Sequence, residues 1–242
     1  MRPESPRDVI PQGADCTTRA MLPAADEVHL WVIALDTGSY ETARRFAATT
    51  VTERERASRF RRPGDAERYL SAHGALRMVL SDALACDPHA LRFGTKSDGK
   101  PFLEDGPLEF NLSHSGNVAL IAVSLARQVG VDVEQLRPLP DLDALAARVC
   151  NDRELAVLAG LAQAVRERAF FALWTRKEAL AKATGEGIAA VFRDDGDGPA
   201  DIHDGWTLVE VGDLPGYAAC VAAEGSGWRL VRRTVTGSNG GR

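Results

Sequence analysis

Phe170-Phe171-Ala172-Leu173-Trp174-Thr175-Arg176-Lys177-Glu178-Ala179-Leu180-Ala181-Lys182-Ala183-Thr184-Gly185-Glu186-Gly187 reads as one helix. Ala, Leu, Lys, Arg and Glu favour helix, and no Pro interrupts the run. Gly185 stands where a helix wants a left-handed residue at its C-terminal end. Phe170, Leu173, Trp174, Leu180 and Ala181 recur at steps of three and four, giving an apolar face. Glu178 and Lys182 are four apart and share one side of that helix. In isolation they are a surface ion pair worth about 0.3–0.5 kcal/mol. A sharper reading is a carboxylate for a metal and an ammonium for a phosphate, presented together by a rigid element.

Other stretches favour the sharper reading. In Val131-Asp132-Val133-Glu134 the strand period of two puts both acids on one face and both valines on the other. By itself this is a half-buried strand with a wet acidic face. Two carboxylates fixed side by side repel, however, and a hard cation relieves the repulsion. With Glu178 they make three oxygen donors with no Cys or His cluster beside them, a set suited to Mg²⁺. Asn111-Leu112-Ser113-His114-Ser115-Gly116 lies where a strand meets a turn. It is either a self-satisfied turn or a phosphate-binding one that offers hydroxyl, imidazole and backbone N–H groups. Gly-x-Ser-x-Gly is absent, so it is no hydrolase elbow. Lys100 follows the Asp98-Gly99 turn, as a hairpin-tip lysine or an anion contact. The arginines from Arg54 to Arg77 form a solvated face or a local basic patch.

Between these stretches the chain alternates strands and helices. Val28–Leu35 is a buried strand. Thr52-Glu53-Arg54-Glu55 has the form of a capping box that starts a helix, which Pro63-Gly64-Asp65 breaks. A second helix spans about Ala66–Ala85 and ends at Asp87-Pro88. Leu91–Thr95 and Phe102-Leu103 flank an Asp-Gly turn, with Pro101 at an edge. Val118–Val123 and Val129–Glu134 are expected to pair as an antiparallel hairpin. Asn151-Asp152-Arg153-Glu154 is a second capping box, and short strands follow at Trp206–Val211, Tyr217–Ala222 and Trp228–Val231. The two capped helices suggest an internal duplication of about a hundred residues per half.

A length of 242 residues, 45% hydrophobic, suffices for a sizeable core. The net charge of -5 argues against a general nucleic-acid binder. Cys16, Cys86, Cys150 and Cys220 have no metal or redox spacing, and the charged, proline-containing N-terminus lacks a signal core. No apolar run approaches the ~20 residues of a membrane span. The expectation is a soluble cytoplasmic protein with free thiols. Residues 1–26 and 236–242 are expected to be disordered tails.

The pieces Gly99-Lys100-Pro101, Asn111-Leu112-Ser113-His114-Ser115, Gly130-Val131-Asp132-Val133-Glu134 and Trp174-Thr175-Arg176-Lys177-Glu178-Ala179-Leu180-Ala181-Lys182 occur in that order. With Arg59-Phe60-Arg61, Asp65 and Arg68, the chain from about 28 to 235 resembles the Sfp-type 4′-phosphopantetheinyl transferases. Glu53 departs from the pattern, standing where many members carry a positive residue.

The resemblance implies an α+β fold of two similar lobes, 27–126 and 127–235, related by a pseudo-twofold axis, in a monomer with coenzyme A in the cleft. It implies Mg²⁺ on Asp132, Glu134 and Glu178, with the phosphates neutralised by Lys100, His114 and Lys182. Ser113 and Pro101 would line the coenzyme, and Arg56, Arg61 and Arg68 would take its 3′-phosphate. Glu178 would act as general base and Lys182 as proton donor, with His114 completing the catalytic set. The substrates implied are coenzyme A and a serine of an acyl or peptidyl carrier protein, acidic around that serine, with 3′,5′-ADP released. The pathways implied are non-ribosomal peptide, polyketide, siderophore or fatty-acid synthesis. Two other readings stand beside this one. A non-catalytic coenzyme A-binding protein could share the fold, and an unrelated Mg²⁺-dependent nucleotide enzyme would have to lack a P-loop.

Overall fold

The computed structural model describes residues 22–185, 202–203 and 205–234. The first half runs β1 (Glu27–Ala34), α1 (Ser39–Ala48), α2 (Val51–Ala57), α3 (Pro63–Leu84), β2 (Phe93–Thr95), β3 (Pro101–Leu103), β4 (Leu108–Ser115) and β5 (Val118–Leu125). The second runs β6 (Val129–Gln135), α4 (Leu142–Val149), α5 (Asp152–Ala159), α6 (Gln163–Thr184), β7 (Ile202–His203), β8 (Trp206–Glu210), β9 (Tyr217–Glu224) and β10 (Arg229–Arg233). Each half is thus a strand, two short helices, one 22-residue helix and further strands, making an α+β chain with a repeated plan.

The sheets are ordered β10-β1-β5-β4 and β6-β9-β8-β7, with β2 and β3 as a separate ribbon. Strand alternation stacks them in layers. Ala119, Ile121 and Val123 of β5 face α3, beside Ala72, Leu76 and Leu80. Leu120 and Ala122 face the opposite way, onto Val129, Val131 and Val133 of β6 and Val221 of β9. Cys220 and Ala222 turn outward to meet Ala179, Leu180 and Ala183 of α6. The order of layers is α3, first sheet, second sheet, α6. α6 carries a further small core at its other end, where Phe170 packs with Leu142, Ala146 and Leu158.

Several sequence expectations are corrected. β5 does not pair with β6; it lies between β1 and β4, and β6 pairs with β9. A strand apolar on both faces belongs in the middle of a sheet, and β5 has both faces covered. The chain instead leaves the first sheet at Ala126, which has φ +54°. The first capping box lies two residues earlier than expected, with Thr50 and Glu53 exchanging bonds. Pro63 opens α3 rather than merely breaking its predecessor, because a first-turn N–H needs no partner. α1 escaped the sequence reading. Lastly, β10 leaves the second half and pairs in parallel with β1 of the first sheet.

Helix α6 ends as expected at Gly185, at φ +77°; Glu186 and Gly187 lie outside the described residues. So do 1–21 of the first expected tail and 236–242 of the last. No helix among the described residues is long and apolar enough to cross a membrane.

Glu53 has a structural job. Its carboxylate caps α2, meets Arg77 of α3 at 2.9 Å and lies 3.8 Å from His73. Burial works to raise the Glu53 carboxyl, but bonds from His73, the Thr50 N–H and Arg77 outweigh it and hold it at about 2. A depressed carboxylate stabilises the fold above its ordinary value of 4.5, and that contribution is lost as pH falls toward 2. Glu53→Gln is therefore expected to cost about 3 kcal/mol in a urea titration at pH 7. The gap to the parent protein should close as the titration is repeated at falling pH; a gap constant with pH would refute the assignment.

Candidate active site

The site forms where β4, β6 and α6 meet. Gly130 makes this meeting possible: a Cβ there would lie 2.1 Å from the Ala179 carbonyl oxygen and 2.5 Å from the Ala183 nitrogen. β6 and α6 therefore touch backbone to backbone. Two residues on, the same strand face presents Asp132, which the helix covers to 3% exposure. The acidic face of β6 is thus roofed at Asp132 and opens toward the half-buried Glu134.

Lys182 does not sit as half of a helix-surface pair with Glu178. Its ammonium donates to Asp132 Oδ1 at 2.6 Å and to Ser113 Oγ at 3.2 Å. Ser113 itself donates to the same carboxylate oxygen at 2.8 Å. The other oxygen, Asp132 Oδ2, is buried without a hydrogen-bond partner. Burial raises the Asp132 carboxyl, opposed by Lys182 and Ser113. Burial likewise raises that of Glu178; Lys182 opposes the rise, and the charges of Asp132 and Glu134 add to it. The three expected acids therefore share one neighbourhood.

Among the described residues, no three Asp, Glu, His or Cys side chains stand gathered as a ready metal cage. The donor set nonetheless fits a hard divalent ion. It offers one orphaned buried oxygen on Asp132, and a Glu178 carboxylate that feels the charges of both Asp132 and Glu134.

Beside these groups lies a cleft of about 550 Å³ whose walls include Lys100, Pro101, Asn111, Glu178, Lys182 and Gly185. Lys100 is buried and points its ammonium at the carbonyls of Val129 (2.9 Å) and Ala183 (3.4 Å), tying the β2–β3 ribbon to β6 and α6. Burial, and next the charge of Lys96, bring its pKa down to about 8. His114 is exposed near the end of β4, with protein packed against part of its ring. That desolvation, with the positive charges of His73, Lys182 and Arg68, lowers its pKa against the pull of Asp65.

Two family descriptions match adjoining parts of the chain. "4′-Phosphopantetheinyl transferase, N-terminal" covers residues 39–126, and "4′-phosphopantetheinyl transferase superfamily" covers 128–211. The chain belongs to this family. It is 39% identical over 215 residues to the 4′-phosphopantetheinyl transferase HetI of Nostoc sp. (strain PCC 7120), covering 85% of this chain and 91% of that one. A 4′-phosphopantetheinyl transferase of Bacillus subtilis is 30% identical over 173 residues, 68% of this chain and 76% of its own. Sfp of Bacillus subtilis (strain 168) is 32% identical over 153 residues, 62% of this chain and 67% of its own.

The transferase's basic stretch is only partly free. Arg56 stacks over the Tyr69 ring at 5.6 Å, and Arg68 is paired with Asp65 at 2.5 Å. Arg61 is exposed. Tyr69 also stacks on His73, with ring centroids 4.1 Å apart, so Arg56 and His73 flank one aromatic ring, and the charge of His73 reaches His114. Sequence reading missed His73; its place on α3 four residues after Tyr69 was the available signal. It also read Asn111 as part of a turn, whereas Asn111 lies within β4 and accepts the Val131 N–H at 2.9 Å.

Proposed function

We propose that this transferase binds coenzyme A in the cleft and passes its 4′-phosphopantetheine arm to a serine of an acyl or peptidyl carrier protein, in the presence of Mg²⁺. The clients would be carriers of peptide, polyketide or siderophore assembly. The observation that carries the reading is the buried Ser113–Asp132–Lys182 cluster with its orphaned carboxylate oxygen, whose Lys182 lines the same cleft as the raised Glu178.

Asp132, Glu134 and Glu178 would hold the ion, which when bound would neutralise pyrophosphate charge. Lys182 can give up Asp132 and take a phosphate oxygen, and Ser113 and His114 can offer donors to the same diphosphate. The first lobe, 27–126, would supply the arginines and His114, and the second, 127–235, the acids and Lys182. Glu178 accepts the proton of the carrier serine as its oxygen bonds to the β-phosphorus. The bond from that phosphorus to the bridging oxygen breaks, and Lys182 protonates the departing 3′,5′-ADP. Positioning and charge stabilisation supply most of such a transfer.

Mass spectrometry of apo-carriers incubated with the protein, coenzyme A and Mg²⁺ tests this. The expected result is a gain of one phosphopantetheine arm on the client, reduced at least 100-fold in rate for Asp132→Ala. A protein that binds coenzyme A and leaves every carrier unmodified would support the non-catalytic alternative.

A further inference from the structure

β4 is the outer strand of the first sheet and β6 the outer strand of the second, yet no backbone ladder joins them. Side chains do it instead. Asn111, Ser113 and Ser115 stand two apart on one face of β4, the face opposite Phe110, which is buried in the first core. Asn111 Oδ1 accepts from the Val131 N–H at 2.9 Å. Ser113 donates to Asp132 at 2.8 Å, and Ser115 donates to Glu134 Oε2 at 2.8 Å while accepting from the Gln135 N–H at 3.1 Å. Successive rungs thus climb β6 in step with the pleat of β4, and two of them end on the carboxylates of the site.

We infer that Asn111 and Ser115 are positioning residues, a side-chain ladder that holds β6 in register with β4 and aims Asp132 and Glu134 at their shared ion. The two rungs act differently. Asn111 grips the amide just before Asp132, so it fixes the strand. Ser115 grips the Glu134 carboxylate itself, leaving that group one free oxygen and a set direction. Arg137, 3.7 Å from the same Glu134 oxygen, is the competing partner that would draw the carboxylate away once the hydroxyl is gone. Because Ser115 also receives the Gln135 N–H, losing its oxygen frees strand and side chain together. Partners of this kind around metal ligands change metal affinity by roughly 10–100-fold.

The inference rests on the reading that Asp132, Glu134 and Glu178 hold a divalent ion, and its test separates the two. Mn²⁺ binding to the purified protein is measured by electron paramagnetic resonance, alongside the Mg²⁺ dependence of carrier loading. Ser115→Ala should weaken Mn²⁺ binding by roughly 10-fold and raise the half-saturating Mg²⁺ equally, with the rate recovered at high Mg²⁺. Ser115→Thr keeps the hydroxyl and should restore both to within about threefold of the parent. Asn111→Ala should weaken Mn²⁺ binding too, without full rescue by Mg²⁺, because the strand itself is released. Unchanged Mn²⁺ affinity in a folded Ser115→Ala protein overturns the positioning role and leaves the metal reading standing. A parent protein that neither binds Mn²⁺ nor needs a divalent ion overturns both.

Discussion

Glu178→Gln lowers the rate of carrier loading by roughly 10²–10⁴-fold at saturating coenzyme A and Mg²⁺, the range expected for loss of a positioned proton acceptor. The amide keeps the volume and sits on the same rigid helix, so the melting temperature should hardly move. Burial, together with Asp132 and Glu134, raises the Glu178 carboxyl against the pull of Lys182, which makes the carboxylate a stronger base than an exposed one. The sign of the pH dependence follows. Protonated Glu178 cannot accept another proton, so loading falls as pH drops through the titration of that carboxyl. In Glu178→Gln that fall should vanish from the residual rate. An acid limb of the same shape in the variant, or a rate within threefold of the parent, would remove Glu178 from the role of base.

Gly130→Ala is the second large effect, and it reaches activity through the backbone. The added methyl would need the space of the Ala179 carbonyl and the Ala183 nitrogen, at 2.1 and 2.5 Å, and neither is the tip of a flexible side chain. α6 must lift from β6, at a cost of about 1–3 kcal/mol from overpacking. Lifting the helix also carries Lys182 from Asp132, now 2.6 Å apart, and displaces Glu178. A misplacement of about 1 Å can cost 10²-fold in rate. Urea unfolding and carrier loading on the same preparation check both halves. Parent-like stability together with parent-like rate would show that the close approach of helix and strand is dispensable.

The legible parts of this fold were those written in local chemistry. α6 announced itself through composition and Gly185, α5 through Asn151 and Glu154, and β6 through the alternation of Val131, Asp132, Val133 and Glu134. Pairing was less legible. Val118–Leu125 and Val129–Gln135 follow one another and look like a hairpin, but partner choice depends on which faces must be covered by distant elements. α1 was hidden because its polar sequence has few apolar positions, and its burial centres on Arg45 and Ala48. The chemistry of the site was readable as residue types, including Asp132, Glu134, Glu178 and Lys182. Their partners were not. Nothing in the spacing of Lys182 says that it leans across to Asp132, fifty residues away, rather than along its own helix. Lys100 likewise reads as a hairpin-tip lysine or an anion contact, and the structure points its ammonium inward onto carbonyl oxygens.

The last strand, β10, runs alongside β1, the first. A ribosome releasing this chain from the N-terminus therefore emits β1 long before the neighbour that will cover one of its flanks. Until Arg229–Arg233 emerge, that flank is a row of bare amides and carbonyls, the kind of border on which chains stick to one another. The halves repeat one plan, yet the sheet of the first is completed by a strand of the second. Stopping synthesis just before Arg229 should yield a sticky, chaperone-bound product, and maturation waits for the final stitch.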